Sequence, residues 1–381
     1  MRSNDFVLRS SFLRAFGPPA VLAFLGASLS TALAAAPQYH LTALVIPGMQ
    51  GIYVNDINDA GEMVGYYVDE NFANHAFLWD ADGPHDLAVP TASSGDPMDS
   101  AAVAINNVGQ IAGYAQDIGV SAPGMLWNRA DTTQYTLLDA GAEVGLTPRD
   151  ISDNGTVVGL KANLQTGEAF HGFVWTAETG DVDYGTTDNT DGTINASWMV
   201  VNDAGQLAGI WNYQFSPAHA TVGTVGTPTM LPMGAATDAV ESSVLAMNAD
   251  GVRVGYMDVN GSGDSVPVIF AADGSASAIP GAALDLPAGQ ALGINNAGVI
   301  VGRADDFDSL TFKAFVSIDG ASYDLYDHVD DTGGYDYFLT ARAVNASGTI
   351  VGLARYGDLQ VGSYVLTPIA DDGIFSDGFD A

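Results

Sequence analysis

One nine-residue segment occurs seven times in this chain, and its spacing leaves few folds open. The first copy reads Ile57-Asn58-Asp59-Ala60-Gly61-Glu62-Met63-Val64-Gly65. The second is Ile105-Asn106-Asn107-Val108-Gly109-Gln110-Ile111-Ala112-Gly113, and the third, with Ser152 in place of Asn, carries Gly155 and Gly159. Copies four to seven carry Asn202, Gly205 and Gly209; Asn248, Gly251 and Gly255; Asn295, Gly298 and Gly302; and Asn345, Gly348 and Gly352. The fifth departs at one apolar position, Arg253. From one first glycine to the next the intervals are 48, 46, 50, 46, 47 and 50 residues. A fixed period of this size marks a solenoid, a propeller or a repeat array.

The motif has the chemistry of a hairpin. An Asn at the start of the turn accepts backbone N–H groups through its side chain, and a Gly three residues on suits a type I turn closed by a left-handed bulge residue. Ser152 makes the same local bond more weakly. The flanks, such as Ala101-Ala102-Val103-Ala104-Ile105 and Ile111-Ala112-Gly113-Tyr114, read as strands. The second Gly lies inside a strand, where it marks a bulge or a close backbone approach. A third, aromatic strand follows, as in His75-Ala76-Phe77-Leu78-Trp79 and His171-Gly172-Phe173-Val174-Trp175. A fourth short one comes after a turn, as in His85-Asp86-Leu87-Ala88-Val89, Tyr135-Thr136-Leu137-Leu138 and Tyr323-Asp324-Leu325-Tyr326. Four strands in such a period make a propeller blade.

The ends argue for closure. The seventh copy runs out after its third strand, near Ser363-Tyr364-Val365-Leu366, whereas Tyr39-His40-Leu41-Thr42-Ala43-Leu44-Val45 resembles a fourth strand and precedes the first hairpin. An open solenoid would carry polar capping repeats instead. The expected fold is therefore all-β, a seven-bladed β-propeller with four strands per blade, closed by the N-terminal strand. It occupies residues 35–370, between a leader (1–34) and a short acidic-aromatic tail (371–381).

Arg2, Arg9 and Arg14 precede an apolar run that ends in Ala32-Leu33-Ala34, the pattern of a cleaved signal peptide. The run is short for a membrane span and is broken by Ser28, Ser30 and Thr31. Beyond residue 34 the chain holds 8 cations against 44 carboxylates, a net charge of −36. Nucleic acid and anionic membrane are poor partners for such a surface. The acidity serves solubility outside the cell, and a glycan or envelope protein is the expected kind of partner. With no cysteine there is no disulfide framework and no Cys-based zinc site.

These residues resemble the HAF-repeat family of predicted extracellular bacterial proteins, named for the tripeptide present here as His75-Ala76-Phe77. The Asn-x-x-Gly-x-[Ile/Val]-Val-Gly hairpin is similar to that family's, over roughly residues 39–369. Thr221 stands where Phe is expected after His219-Ala220, and the fifth copy has Val268-Ile269-Phe270 with no His. The resemblance implies export and repetition; the family carries no established activity. The tail Ile374-Phe375-Ser376-Asp377-Gly378-Phe379-Asp380 is similar to endings of some secreted bacterial proteins.

Catalytic signatures are sparse. The six histidines (His40, His75, His85, His171, His219, His328) include three at one repeat position, so repetition separates them around a ring. No His-Glu-x-x-His pair, Gly-x-Ser-x-Gly elbow or phosphate loop occurs. No catalytic residue or cofactor-binding residue is singled out. Calcium is the one cofactor with a candidate loop: Asp258, Asn260, Ser262 and Asp264 alternate oxygen side chains, although Ile269 stands where a bidentate Glu would belong. A second acidic cluster spans Asp324 to Asp336 and reads as a solvated loop. Trp79, Trp127 and Trp175 recur in register and read as core, while Trp198 and Trp211 flank the fourth hairpin. The leading expectation is a non-enzymatic binding or surface scaffold. The alternatives are a polysaccharide hydrolase or lyase using carboxylates at the ring's mouth, and a structural envelope or matrix component.

Overall fold

The computed structural model describes residues 36–117, 120–138, 144–163, 171–183, 194–213, 217–232, 240–258, 261, 263–357 and 360–369. The leader, the C-terminal tail, Asn260 and Ser262 lie outside the described residues.

Seven four-stranded antiparallel sheets form the blades of a seven-bladed β-propeller. Six are built from consecutive strands; the seventh takes Tyr337–Val344, Ile350–Tyr356 and Gln360–Pro368 and receives Tyr39–Ala43 as its fourth. Tyr39 lies opposite Pro368 and Ala43 opposite Tyr364. Two bonds lengthen the seam, Leu44 N–H to Ser363 O (3.3 Å) and Ile369 N–H to Gln38 O (2.9 Å). Tyr39 is fully buried in the core between the last two blades, with Phe338, Tyr364 and Val316. Among the described residues, this pairing joins the last blade to the segment that leads into the first.

The hairpin chemistry holds in every copy. Each motif Asn (Ser152 in the third) accepts the N–H of the first Gly through its backbone carbonyl, at 2.9–3.1 Å. All seven first glycines have positive φ, from +71 to +83°. In the first copy the side-chain oxygen of Asn58 also accepts Ala60 N–H (3.1 Å) and Glu62 N–H (2.9 Å).

The second Gly answers to two demands at once. Opposite it the innermost strand carries a bulge, with register breaks at Val54/Asp56, Ala102/Ala104, Pro148/Asp150, Trp198/Val200, Val244/Ala246, Ala291/Gly293 and Ala341/Ala343. The bulge pushes a backbone oxygen to within 1.9–2.2 Å of where a Cβ on the Gly would stand. On its other side the Gly pairs with the large residue of the third strand: Phe77, Met125, Phe173, Phe315 or Tyr364, all fully buried. The Phe of His-Ala-Phe and the second Gly are thus one packing unit. Where the large residue is missing, Thr221 and Val268 fill the same place.

Fourth strands are shorter than the sequence suggests. They span Gly83–Asp86 and Ala321–Asp324, and only Asp131–Leu138 takes in all of its expected segment. Asp324 accepts Tyr326 N–H at 3.1 Å and turns the chain into a 3-10 helix over Leu325–His328. Leu87 leaves its strand to enter the core with Ala102 and Trp127. Trp127, Trp175 and Trp198 are buried, whereas Trp79 is half-buried.

Blades are tied by a ring that runs one way. The side-chain amide of each motif Asn donates to the backbone oxygen of the same motif position in the next blade: Asn58 to Asn106, Asn106 to Ser152, Asn202 to Asn248, Asn248 to Asn295, Asn295 to Asn345, and Asn345 back to Asn58. These bonds measure 2.9–3.4 Å. Ser152 has no amide to offer, and Asn154 reaches Asp203 O instead (3.3 Å). Next to this ring the residue after the Asn repeats the pattern: its N–H donates to the following blade's Asx side chain, as from Asp59 to Asn107 and from Ala346 to Asp59.

Candidate functional site

The inner strands are Gly51–Ile57, Asp99–Ile105, Val144–Ile151, Ile194–Val201, Glu241–Met247, Ala288–Ile294 and Tyr337–Val344. Each bulge sets its extra residue out of the ladder, three positions before the motif Asn. These residues are Asn55, Val103, Arg149, Met199, Leu245, Leu292 and Arg342, and all seven line one cavity of about 440 Å³ on the propeller axis. This column ranges over amide, aliphatic, thioether and guanidinium, and a position that varies among repeats yet converges on one point is where recognition belongs.

The cavity has a polar and an apolar side. Blades four, five and six contribute Met199, Leu245, Leu292 and Met247. Blades seven and one contribute Arg342, Asn55 and Tyr66. Arg342 donates through its guanidinium to the Asn55 side-chain oxygen, and Asn55 in turn donates to Ala102 O at 2.7 Å. The Tyr66 ring stacks on Tyr53 with centroids 4.8 Å apart. Burial holds the Arg342 pKa below the ordinary guanidinium value. Arg149 adds a second guanidinium from blade three.

A narrower space of about 240 Å³ lies at the Asn ends of the inner strands. The seven residues that begin the motif line it, and three of them, Met247, Ile294 and Val344, also line the deeper cavity. Beyond this apolar collar come the Asn ring and the side chains of Asp59, Asn107, Asp153, Asp203 and Asn296.

Two acids sit on the deep cavity, Asp56 and Asp150, each two positions before the hairpin. Asp56 accepts Ile57 N–H (2.8 Å) through one oxygen and Ile105 N–H of the next blade (2.9 Å) through the other. Asp150 does the same with Ile151 and Val201, at 2.8 Å each. Protein encloses both carboxyls except toward the channel. Burial pushes Asp56 up to about 7, against the pull of its backbone N–H donors and with a further push from Asp150. Burial likewise carries Asp150 to about 6. Each carboxyl is thus a latch between blades. Equivalent positions elsewhere hold Ala104, Val200, Ala246, Gly293 and Ala343, so the fold stands without an acid there.

The raised values make the latch pH-dependent. A folded-state pKa above the unfolded one gives stability that is complete below the unfolded value, near 3.8, and lost as pH rises through the folded value. The advantage of the native chain over Asp56→Ala is therefore expected to be largest near pH 4 and to shrink through pH 7. Paired thermal melts from pH 4 to 8 test this, and a difference independent of pH counts against it.

Other expected site residues fall elsewhere. His75 meets Asp69 (3.3 Å), His85 meets Asp80 (2.9 Å), His171 meets Asp183 (2.8 Å) and His40 meets Asp330 (2.7 Å), in separate places around the ring. In the proposed calcium loop, Asp258 is buried, and its two oxygens accept Gly261 N–H (2.8 Å) and Gly263 N–H (2.9 Å); Asp264 is exposed. Among the described residues no three His, Asp or Glu side chains converge as metal ligands would, and no helix is long and apolar enough to cross a membrane.

No protein-family model matches the chain, and no curated protein matches it. Solved structures do, and all at low identity. The β-propeller domain of the Trilobed protease from Pyrococcus furiosus, described as having an open velcro topology, aligns with TM-score 0.53 and 9% identity over 87% of this chain and 99% of that one. YCF48 bound to D1 peptide aligns with TM-score 0.52 and 12% identity, over 88% and 97%. A Mycobacterium tuberculosis puromycin-hydrolyzing peptidase gives TM-score 0.55 and 12% identity over 89% of this chain. The chain spans only 56% of that peptidase and 65% of TolB from Acinetobacter baumannii. These likenesses concern the fold.

Proposed function

We propose that this chain is an exported bacterial binding propeller whose ligand seats in the axial cavity. One observation carries the reading: the bulge residue, whose chemistry runs from amide through aliphatic and thioether to guanidinium among the copies, is the one that all seven blades aim at the axis. Export rests on the leader pattern of residues 1–34 and on the resemblance to HAF-repeat proteins. A propeller of the same fold, YCF48, is bound to a peptide, which supports a protein or peptide partner alongside a glycan.

A substitution that fills the cavity tests it. Leu245→Trp is expected to abolish binding of any partner recovered from a panel of extracellular glycans and envelope proteins, while hairpins and blade seams keep their melting temperature. Binding that survives Leu245→Trp and maps to outer-strand loops would overturn the axial assignment.

A second reading, a polysaccharide hydrolase or lyase, draws support from Asp56 and Asp150 sharing the cavity at near-neutral pKa. Against it, all four carboxylate oxygens already accept backbone N–H groups. Turnover on a polysaccharide panel that Asp56→Ala and Asp150→Ala abolish would favour the enzyme.

A further inference from the structure

We infer that the axial cavity takes a carboxylate carried on an apolar group. This rests on the axial-site reading above and adds the chemical class of the ligand.

The first observation is one of charge. Carboxylates outnumber cations more than fivefold beyond the leader, so an arginine left without one needs a reason. Arg129, Lys161, Arg303 and Lys313 each have an acid within 3.1 Å. Arg355 lies over the Tyr337 ring and donates to its hydroxyl. Among the described residues Arg253, Arg342 and Arg149 have no carboxylate within 4 Å; Arg253 lies away from the cavity, and of the two that line it Arg342 is half-buried and Arg149 exposed. Burying a guanidinium without a counter-charge is costly. Arg342 is held in place by the Asn55 side-chain oxygen, which orients the fork and supplies no charge.

The second observation is shape. Arg342 and Arg149 stand in blades seven and three, while Met199, Leu245 and Leu292 stand in the blades between on one side of the ring. An anion with an apolar body meets both walls at once: its oxygens reach a guanidinium and its chain displaces water from the thioether and leucine surface. A fully hydrated inorganic anion would leave that wall wet. The cavity size suits one residue-sized group, within the usual range for small-ligand sites. Asp56 and Asp150, the acids on the same wall, direct their oxygens at backbone N–H groups.

The approach is set by register. Carboxylates of Asp59, Asp153 and Asp203 surround the Asn mouth and disfavour an anion there. Tyr66 and Tyr114 lie beside Tyr53 and Ala101, toward the other end of the inner strands. An anion enters from that end.

Two sources offer this chemistry: the C-terminus of a peptide ending in an apolar residue, and a free organic acid. The test uses the full mature chain and three probes: a hexapeptide ending in a free leucine carboxylate, its C-terminal amide, and hexanoate. The expected result is that the free-acid peptide or hexanoate binds, with the stronger of the two naming the source. The amide is expected to bind at least tenfold more weakly than the free-acid peptide if the peptide is the source. Arg342→Gln is expected to weaken the preferred acid tenfold or more, and added salt to weaken it further. Arg342→Gln keeps an amide donor for Asn55, and an unchanged melting temperature separates lost recognition from lost folding. Equal binding of acid and amide, indifference to Arg342→Gln and Arg149→Gln together, or no binding of either acid overturns the inference. A neutral ligand displaced by Leu245→Trp but indifferent to both arginines would leave the axial site standing and remove only the carboxylate.

Discussion

Without residues 39–47 the propeller is expected to lose stability as a whole, its single unfolding transition moving down by many degrees instead of one blade fraying. The deleted strand pairs Tyr39–Ala43 with Tyr364–Pro368 and carries Tyr39 and Leu44 into two different cores. Fully burying a large apolar side chain contributes ~1.5–3 kcal/mol, so Tyr39 and Leu44 with their ladder amount to a loss on the order of 5 kcal/mol. The loss spreads because the last blade also holds the first: Ser363 Oγ accepts Val54 N–H (2.9 Å) and donates to Ile52 O (2.8 Å). Adding the missing segment back as a peptide should restore the transition. Unchanged thermal unfolding of the truncated chain would refute closure as the source of cohesion.

The second large effect separates two kinds of glycine. Gly302→Ala places a methyl 2.1 Å from Gln290 O and 2.8 Å from the Phe315 ring. Neither neighbour is a flexible side-chain end, so the bulge or the core must move, at a cost of ~3 kcal/mol or more. Gly298→Ala, four residues earlier, meets nothing within 4 Å and suffers only from its φ of +81°, about 1–2 kcal/mol. Gly298→Asn is expected to be milder still, since Asn tolerates the left-handed region. Chemical denaturation of the three variants should therefore rank Gly302→Ala far below the other two. Equal losses would mean that the second Gly is not a packing device.

This contrast also shows what the sequence makes legible. The interval between glycines reveals the blade, since hairpin geometry demands a left-handed residue at the same place each time. The short seventh repeat reveals closure, because a missing strand at one end matches a spare one at the other. The interblade role of the Asn amide is hidden, because its local duty to its own turn already explains the residue. Ser152 offered a hint, since losing only a turn bond would be cheap at any copy. The axial residues are hidden for a different reason. Alternation along Gly51–Ile57 places Asn55 on one face, and only the two-for-one register of a bulge turns it to the axis. A signal did exist: three positions before the motif Asn, the residue changes from amide to aliphatic, thioether and guanidinium from copy to copy. The paired acids Asp56 and Asp150 are concealed among 45 carboxylates, and nothing in their spacing distinguishes them.

Because every Asn amide hands its hydrogen bond forward, the contact between blades is head-to-tail, and it closes only because seven steps complete a full turn. A fragment that stops short of seven keeps an unspent donor on one flank and an unmet acceptor on the other. Such fragments are complementary to one another, not to themselves. Proteolysis or premature termination between blades would thus yield species that exchange partners or string together, and two fragments whose blades add up to seven would reassemble the native ring. The same cyclic symmetry allows the chain to be cut between any two blades and rejoined across Tyr39 and Pro368 without altering a single contact at the axis.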